Sequence, residues 1–225
     1  MKRVFELINK NILQQLIFNR KKDVPDNEDM PMITISREMG SGGRPIAELV
    51  VKKLGKPWKL FHKDLIDKIA KEGNLEKKLV KEIDENRIPL VDEIIGDFFG
   101  KRYLSLSNYY KHLLKILSVI GQRGYGVIMG RGAHHLFREA LNVRIVCEMH
   151  QRIKWEMEFE GLTKTQAVKR VELSDKQRYE FERILYNHDI RKAHHYDLVI
   201  RTGPYLSIEE ASDIIVFTAK KRFKL

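Results

Sequence analysis

Five short runs of mainly apolar residues, separated by helix-length stretches, constrain the fold of this chain more than any other feature of its sequence. They are Ile33–Ile35, Trp58–Phe61, Gly126–Met129, Val143–Glu148 and Asp197–Thr202. Strands that are apolar almost throughout are typical of parallel sheets, because helices cover both faces of such sheets. The sequence therefore predicts an α/β fold built on a parallel sheet.

Helical patterns occupy the stretches around these runs. The predicted helices are Pro45–Leu54, Lys63–Lys71, two or three segments within 75–122, one beginning at Ala133, further segments within 150–195, and Ser207–Lys221. Ser207 and Glu210 have the spacing of a capping box at the start of the last helix. Strands and helices thus alternate from about Met32 onward.

In an open parallel sheet, ligands bind beyond the carboxyl ends of the strands. Four polar or glycine-rich segments follow predicted strands here: Ser36–Arg44, His62–Asp64, Gly130–Gly132 and the residues after Glu148. We therefore expect these segments to meet at one edge of the sheet and to form a ligand site.

Residues 1–30 are expected to lie outside this domain, which we place at 31–225. Apolar residues at helical spacing within 1–20 predict a basic amphipathic helix, and polar residues with two prolines within 21–31 predict a linker. The helix could pack on the domain, pair with a second copy in a homodimer, or lie on a membrane surface. Polar residues interrupt its apolar stretch, so no secretory signal is expected.

The composition, 43% hydrophobic and 32% charged, is typical of a soluble globular protein. We expect the protein to be cytoplasmic. No apolar run approaches the roughly 18–20 residues of a membrane span. The formal net charge of +11 favours an anionic ligand, which could be a nucleotide, a nucleic acid or a membrane surface. Cys147 is the only cysteine, so no intrachain disulfide can form, and its apolar setting predicts an inert core thiol.

Two pairs of adjacent histidines, His134-His135 and His194-His195, raise the question of a metal site. Adjacent side chains point to different faces of a helix or strand, and no neighbouring carboxylate or cysteine completes a ligand set. The sequence therefore predicts no metal ligands at these histidines.

The segment Gly40-Ser41-Gly42-Gly43-Arg44 has the glycines of a phosphate-binding loop but lacks its usual end. In a Walker A loop, backbone N–H groups bind phosphate, a lysine neutralises charge and a Ser or Thr hydroxyl binds Mg²⁺. Here Arg44 stands at the cationic position and Pro45 follows it, so Ser36 or Ser41 would have to supply the hydroxyl. The residues alone leave two alternatives, a phosphate cradle and a tight turn before a helix.

Three segments, ITISREMGSGGRPIA, YGVIMGRGAHHLF and YDLVIRTGPYLSIEEA, resemble the cytidylate kinase-like family in order and spacing. The resemblance extends from about Ile33 to the C-terminus. It implies a three-layer α/β/α P-loop NTPase fold of the nucleoside monophosphate kinase type, with about five parallel strands and a helical lid at about 150–195. It also implies phosphoryl transfer from ATP to CMP or dCMP, with Mg²⁺.

The resemblance also implies roles for individual residues at the strand ends and in the lid. It implies nucleotide-phosphate binding by Arg37, Gly40, Ser41, Gly42, Gly43 and Arg44. It implies acceptor binding by Asp64 and Arg131, and catalysis by Arg44, Arg152, Asp175 and Arg178. The sequence departs from the family pattern at His62 and Gly132, where aspartates are expected, and at Phe181, where a tyrosine is expected.

Three functions are compatible with these patterns. The first is a small-molecule phosphotransferase acting on CMP, dCMP or a related acceptor. The second is a nucleotide-binding sensor or interaction protein of the same fold with altered catalysis. The third is a nucleic-acid-binding protein, which the charge and the basic tail 220–224 favour, although the sequence has no helix-turn-helix, zinc or RNA-recognition signature.

Overall fold

A five-stranded parallel sheet lies at the centre of the fold. The computed structural model describes residues 30–62, 64, 66 and 108–225. The strands are β1 (Met32–Arg37), β2 (Lys59–His62), β3 (Gly126–Met129), β4 (Leu141–Cys147) and β5 (Leu198–Thr202). They lie in the order β2-β3-β1-β4-β5, and all neighbours are parallel. The predicted α/β fold and its parallel sheet are confirmed.

Six α-helices accompany the sheet within the described residues. They are α1 (Gly43–Leu54), α2 (Asn108–Arg123), α3 (Ala133–Leu136), α4 (Met149–Glu160), α5 (Lys164–Tyr186) and α6 (Ile208–Phe223). None of these helices has the length and apolar character needed to cross a membrane. The predicted N-terminal helix and linker, most of the predicted helix Lys63–Lys71 and the predicted segments from 75 to 107 lie outside the described residues, and the domain boundary stays a prediction.

Helices cover both faces of the sheet. Alternate residues along each strand point to opposite faces, so each face packs against its own layer of helices. On one face, Val50 of α1 and Ile215 of α6 pack with Ile35 of β1 in a buried cluster. On the other face, Leu117 of α2 packs with Ile128 of β3. These two apolar layers fix the sheet between helices and expose the carboxyl ends of the strands along one edge.

The region 150–195, predicted as helical, contains two long helices and one short 3₁₀ turn. α4 ends at Gly161, whose left-handed backbone (φ +66) stops the helix, and α5 begins with a capping box between Thr163 and Gln166. A left-handed Asn187 ends α5, and a 3₁₀ turn follows at Ala193–His195. The region predicted as a lid thus contains a pair of packed helices, and the segment 187–192 is not helical.

Candidate functional site

The loop after β1 is shaped by glycines in left-handed conformations. Gly40 has φ +75, and a Cβ there would lie 2.9 Å from the carbonyl oxygen of Arg152. Gly42, at φ +78, is the N-cap of α1; no side chain caps this helix, and its first turn has no acidic residue. Because N–H groups and the positive dipole end lie at a helix N-terminus, this loop suits an anion.

The hydroxyl of Ser41 points into the fold rather than toward a ligand. The Ser41 side chain is fully buried, and its Oγ donates to the carbonyl oxygen of Glu38 at 2.8 Å. The Ser41 carbonyl in turn accepts a hydrogen bond from Thr202 Oγ1 at 2.9 Å. Ser36 Oγ accepts a hydrogen bond from Arg144 at 3.1 Å. Neither serine is therefore placed as the Mg²⁺-binding hydroxyl that the sequence left open.

Arg44 lies at the rim of the site. Its side chain is 64% exposed and its Nε donates to Glu48 Oε1 at 3.1 Å, one turn further along α1. Such an exposed pair contributes little to stability and can exchange partners readily. The residue at the cationic position of the loop is thus accessible to a ligand and is paired with Glu48 in this structure.

Arg37, at the end of β1, extends from the glycine loop after β1 to the turn after β3. A Cβ at Gly43 would lie 2.7 Å from the Arg37 Cβ, and a Cβ at Gly130 would overlap its Nη1. Two glycines therefore make room for this arginine. Within the described residues, no hydrogen bond or ion pair joins its guanidinium group to a carboxylate.

Three successive residues of the turn after β3 have positive φ, namely Gly130 (80), Arg131 (59) and Gly132 (64). A left-handed arginine is strained, and such residues concentrate at functional sites. A Cβ at Gly132 would overlap the ring of Tyr186, whose hydroxyl donates to the Arg131 carbonyl at 2.9 Å. Tyr186 thus fills the space beside the position where the family pattern has an aspartate.

Asp175 connects α5 to the loop after β1. Its Oδ2 accepts hydrogen bonds from both terminal nitrogens of Arg152, at 2.8 and 2.6 Å, and its Oδ1 accepts one from the Met39 N–H at 2.8 Å. Arg152 is buried and also lies 3.2 Å from Glu38. In this structure Arg152 and Asp175 hold α4, α5 and the loop together, so Arg152 would have to leave both carboxylates to reach a phosphoryl group.

Arg178 lies next to Arg37 and Arg131. Its Nη1 donates to the Arg37 carbonyl at 3.2 Å, and all three arginines line a cavity of about 260 Å³. Burial, and then the charges of Arg178 and Arg131, lower the pKa of Arg37 to about 9, and burial lowers the pKa of Arg178. Three crowded cations favour a multiply charged anion between them.

A second cavity, of about 560 Å³, lies along the glycine loop after β1 and shares Arg37 and Arg178 with the first. Its walls include loop residues 38–40 and 42–45, and Trp155 and Phe159 of α4. Asp64 lines this cavity; it is 79% exposed and lies 3.9 Å from His62 Nδ1. The structure therefore places the two predicted acceptor residues apart, with Asp64 lining the loop cavity and Arg131 lining the smaller one.

Two site residues were missing from the sequence assignment. Glu38 stands inside the quoted motif and pairs with Arg152, while its Oε2 accepts a hydrogen bond from the Cys147 N–H at 3.0 Å. Glu182 lies four residues after Arg178 and lines the same cavity. That spacing places both side chains on one helix face, so the helical pattern could have identified Glu182.

The argument against a carboxylate near the histidine pairs is wrong. Both His134 Nε2 and His135 Nε2 lie close to Glu182 Oε2, at 3.4 and 3.1 Å. Adjacent helical residues differ in direction by about 100°, which lets two rings flank one carboxylate that enters between them from another helix. Glu182 is distant in sequence from these histidines, so the local sequence pattern did not identify it as their partner.

The parallel sheet with helices on both faces, and the glycine loop at the end of its central strand, define a three-layer α/β/α protein. A model of the cytidylate kinase-like family matches residues 32–204, and the chain belongs to this family. An uncharacterized protein from Eubacterium ventriosum ATCC 27560 has a similar structure, with a TM-score of 0.59 and 20% identity, covering 84% of this chain and 98% of that one. This likeness supports the fold.

Two further similarities are weaker. Dephospho-CoA kinase from Campylobacter jejuni has a TM-score of 0.37 and 14% identity, covering 84% of this chain and 97% of that one, which is too low to bear on function. Uronate isomerase from Corynebacterium glutamicum is 27% identical over 103 residues, 44% of this chain. The chain spans only 20% of that curated relative's length.

Proposed function

We propose that this protein is a small-molecule kinase that transfers the terminal phosphoryl group of ATP to CMP, dCMP or a related small acceptor. The observation that carries the proposal is the convergence of Arg37, Arg131 and Arg178 beside the glycine loop. Phosphoryl transfer depends mainly on positioning and on neutralising charge, which is what such an arrangement supplies. Membership of the family supports a nucleotide as the ligand.

The two cavities divide the reaction between them. The loop cavity suits ATP, because the glycines at 40, 42 and 43 let phosphate oxygens approach the backbone at the start of α1. The smaller cavity suits the acceptor phosphate, which Arg131 would orient. Arg37 and Arg178 line both cavities, so they are placed to stabilise charge where donor and acceptor meet.

The described residues do not fit Mg²⁺ in the manner of a Walker A loop. The hydroxyls of Ser36 and Ser41 are engaged within the fold, and Glu38 and Asp175 are paired with Arg152. We therefore assign no protein ligand to Mg²⁺ and derive no step through it. Any ion that accompanies ATP would be held mainly by phosphates and water, as is usual for Mg²⁺.

The pairing of Arg152 with Glu38 and Asp175 supports a second candidate. This is a nucleotide-binding protein of the same fold that does not catalyse phosphoryl transfer. A protein of this kind would bind ATP at the loop while Arg152 stays paired with its carboxylates and does not reach the transferred group. Binding and turnover therefore have to be measured separately.

A panel of nucleoside monophosphates, assayed for ADP production with ATP, tests the proposal. We expect CMP or dCMP to be the best acceptor and Arg178→Gln to lower kcat/KM about 100-fold, because it removes charge stabilisation from the transition state. Arg183→Gln, an exposed arginine on the same helix, is the matched control and should change kcat/KM less than about twofold. ATP binding without ADP production from any acceptor would favour the second candidate.

A further inference from the structure

Five of the eight histidines in the chain lie in one cluster, on two segments that meet beside α5. His134 and His135 belong to α3, while His188, His194 and His195 lie between α5 and β5. The family resemblance assigned these residues no role, and the proposed kinase reaction does not use them.

Three of these histidines lie close enough together to form a metal site after a small contraction. Single ring nitrogens of His135, His188 and His195 lie within 4.8 Å of one another. Tetrahedral Zn²⁺ with bonds of about 2.0–2.1 Å holds its ligand nitrogens about 3.4 Å apart, so a contraction of at most about 1.4 Å suffices. His188 and His195 are only partly buried and lie outside long helices, which leaves them able to make this adjustment.

One ring nitrogen of the cluster is left for a ligand. Among the described residues, the Nε2 of His195 is buried without a hydrogen-bond partner.

Glu182 places a carboxyl group beside His135. Its side chain is 4% exposed, and one carboxylate oxygen lies 3.1 Å from His135. An adjacent cation would favour the ionised form of this carboxyl. Carboxylates beside metal-binding histidines orient the ring and strengthen the bond. Lys192 and Arg138 are close enough to His188 to oppose a cation, and Glu182 offsets part of their effect.

We propose that His135, His188 and His195 bind one divalent transition-metal ion of the Zn²⁺ class, with the Glu182 carboxylate beside them balancing its charge. The ion would fasten the segment 187–195 to α3. Because Glu182 and Ile190 also line the smaller arginine cavity, the ion would stabilise one wall of that cavity. The proposal does not depend on kinase activity.

Zinc binding by the full chain, purified without a polyhistidine tag, tests the proposal. Isothermal titration with ZnCl₂ at pH 7.5 should give one equivalent per chain, and Co²⁺ should give the visible absorption of a tetrahedral site. His188→Gln and His195→Gln should each weaken Zn²⁺ binding at least about tenfold, because each removes one ligand. Zn²⁺ should raise the Tm of the unaltered chain but not of these variants.

Two exposed histidines provide matched controls. His150→Gln on α4 and His194→Gln, which lies outside the three-histidine set, should change the affinity less than about twofold. Absence of stoichiometric Zn²⁺ binding overturns the proposal. An equal loss of Zn²⁺ affinity in His194→Gln and His195→Gln also overturns it, because it would indicate binding by a surface histidine pair. Melting curves in EDTA verify that each variant folds, so a lost site and a lost fold are distinguished.

Discussion

Individual glycines determine where the arginines of this site can lie. Gly43 and Gly130 leave room for the Arg37 side chain, and Gly132 leaves room for Tyr186. The resemblance to a family identified the arginines from sequence, because their positions follow motifs. It could not explain the missing aspartate at 132, because the side chain that occupies that space comes from a distant helix.

Replacement of Gly132 by alanine is expected to destabilise the protein by about 2–4 kcal/mol, because its Cβ would overlap the Tyr186 ring and strain a left-handed residue. Gly161→Ala is the control: φ is +66 there as well, but nothing lies within 4 Å of the added Cβ, so only about 1 kcal/mol should be lost. Urea unfolding measures both values. Equal losses would show that the ring does not restrict position 132.

The single thiol provides a second test at this scale. Cys147 is 8% exposed, and burial raises the pKa of its thiol. A raised pKa means less thiolate at any given pH, so the native protein should react with iodoacetamide more slowly at pH 8 than the urea-unfolded chain does. The rate should climb as the pH rises toward the thiol pKa. Equal rates for native and unfolded protein would contradict the predicted inert core thiol.

At the scale of elements, α5 contributes more to the site than any other helix within the described residues. Asp175, Arg178 and Glu182 follow one another at helical spacing and contact the loop, the arginine cluster and the histidines in turn. The strands and most helices were predictable, since apolar runs and capping patterns are local. The break between α4 and α5 was missed, although Gly161 and the Thr163–Gln166 capping box are both visible in the sequence.

Asp175→Asn is expected to destabilise the protein by about 1–3 kcal/mol, because the buried Arg152 loses a charged partner while Glu38 still offsets part of its charge. It should also weaken ATP binding, since Asp175 holds the Met39 N–H in the loop. Glu172→Gln, an exposed change on the same helix, is the control and should be nearly neutral. Urea unfolding and nucleotide titration give the two readouts. Unchanged ATP affinity would show that the hydrogen bond between Asp175 and the Met39 N–H does not shape the loop for ATP.

At the scale of the whole molecule, the order of the strands decides which residues meet. β1 lies between β3 and β4, so the ends of these three strands bring the glycine loop, the Gly130–Gly132 turn and α4 together. A local pattern predicts that a strand exists but not which strand lies beside it. For the same reason, the sequence could indicate the loop and the lid arginines, whereas the contact of Glu182 with the histidines required the three-dimensional arrangement.

The crowding of Arg37, Arg131 and Arg178 predicts that inorganic phosphate stabilises the folded chain. A ligand that binds only the folded state raises the free energy of unfolding by about 1.4 kcal/mol for each tenfold excess over its Kd. We expect phosphate to raise the Tm, Arg178→Gln to reduce this shift, and Arg183→Gln to leave it unchanged. Thermal melts against sodium chloride of equal ionic strength provide the measurement. If phosphate raised the Tm of both variants equally, the anion would bind outside the cluster of Arg37, Arg131 and Arg178.

The carboxylate of Asp175 has a consequence for kinetics. It accepts hydrogen bonds from the loop backbone and from the buried Arg152 at the same time. If α5 swings outward, the Met39 N–H and Arg152 lose this shared acceptor in a single movement. Opening of the lid and reshaping of the loop are then one conformational transition, so the rate of nucleotide entry would be gated by the breaking of these hydrogen bonds rather than by diffusion alone.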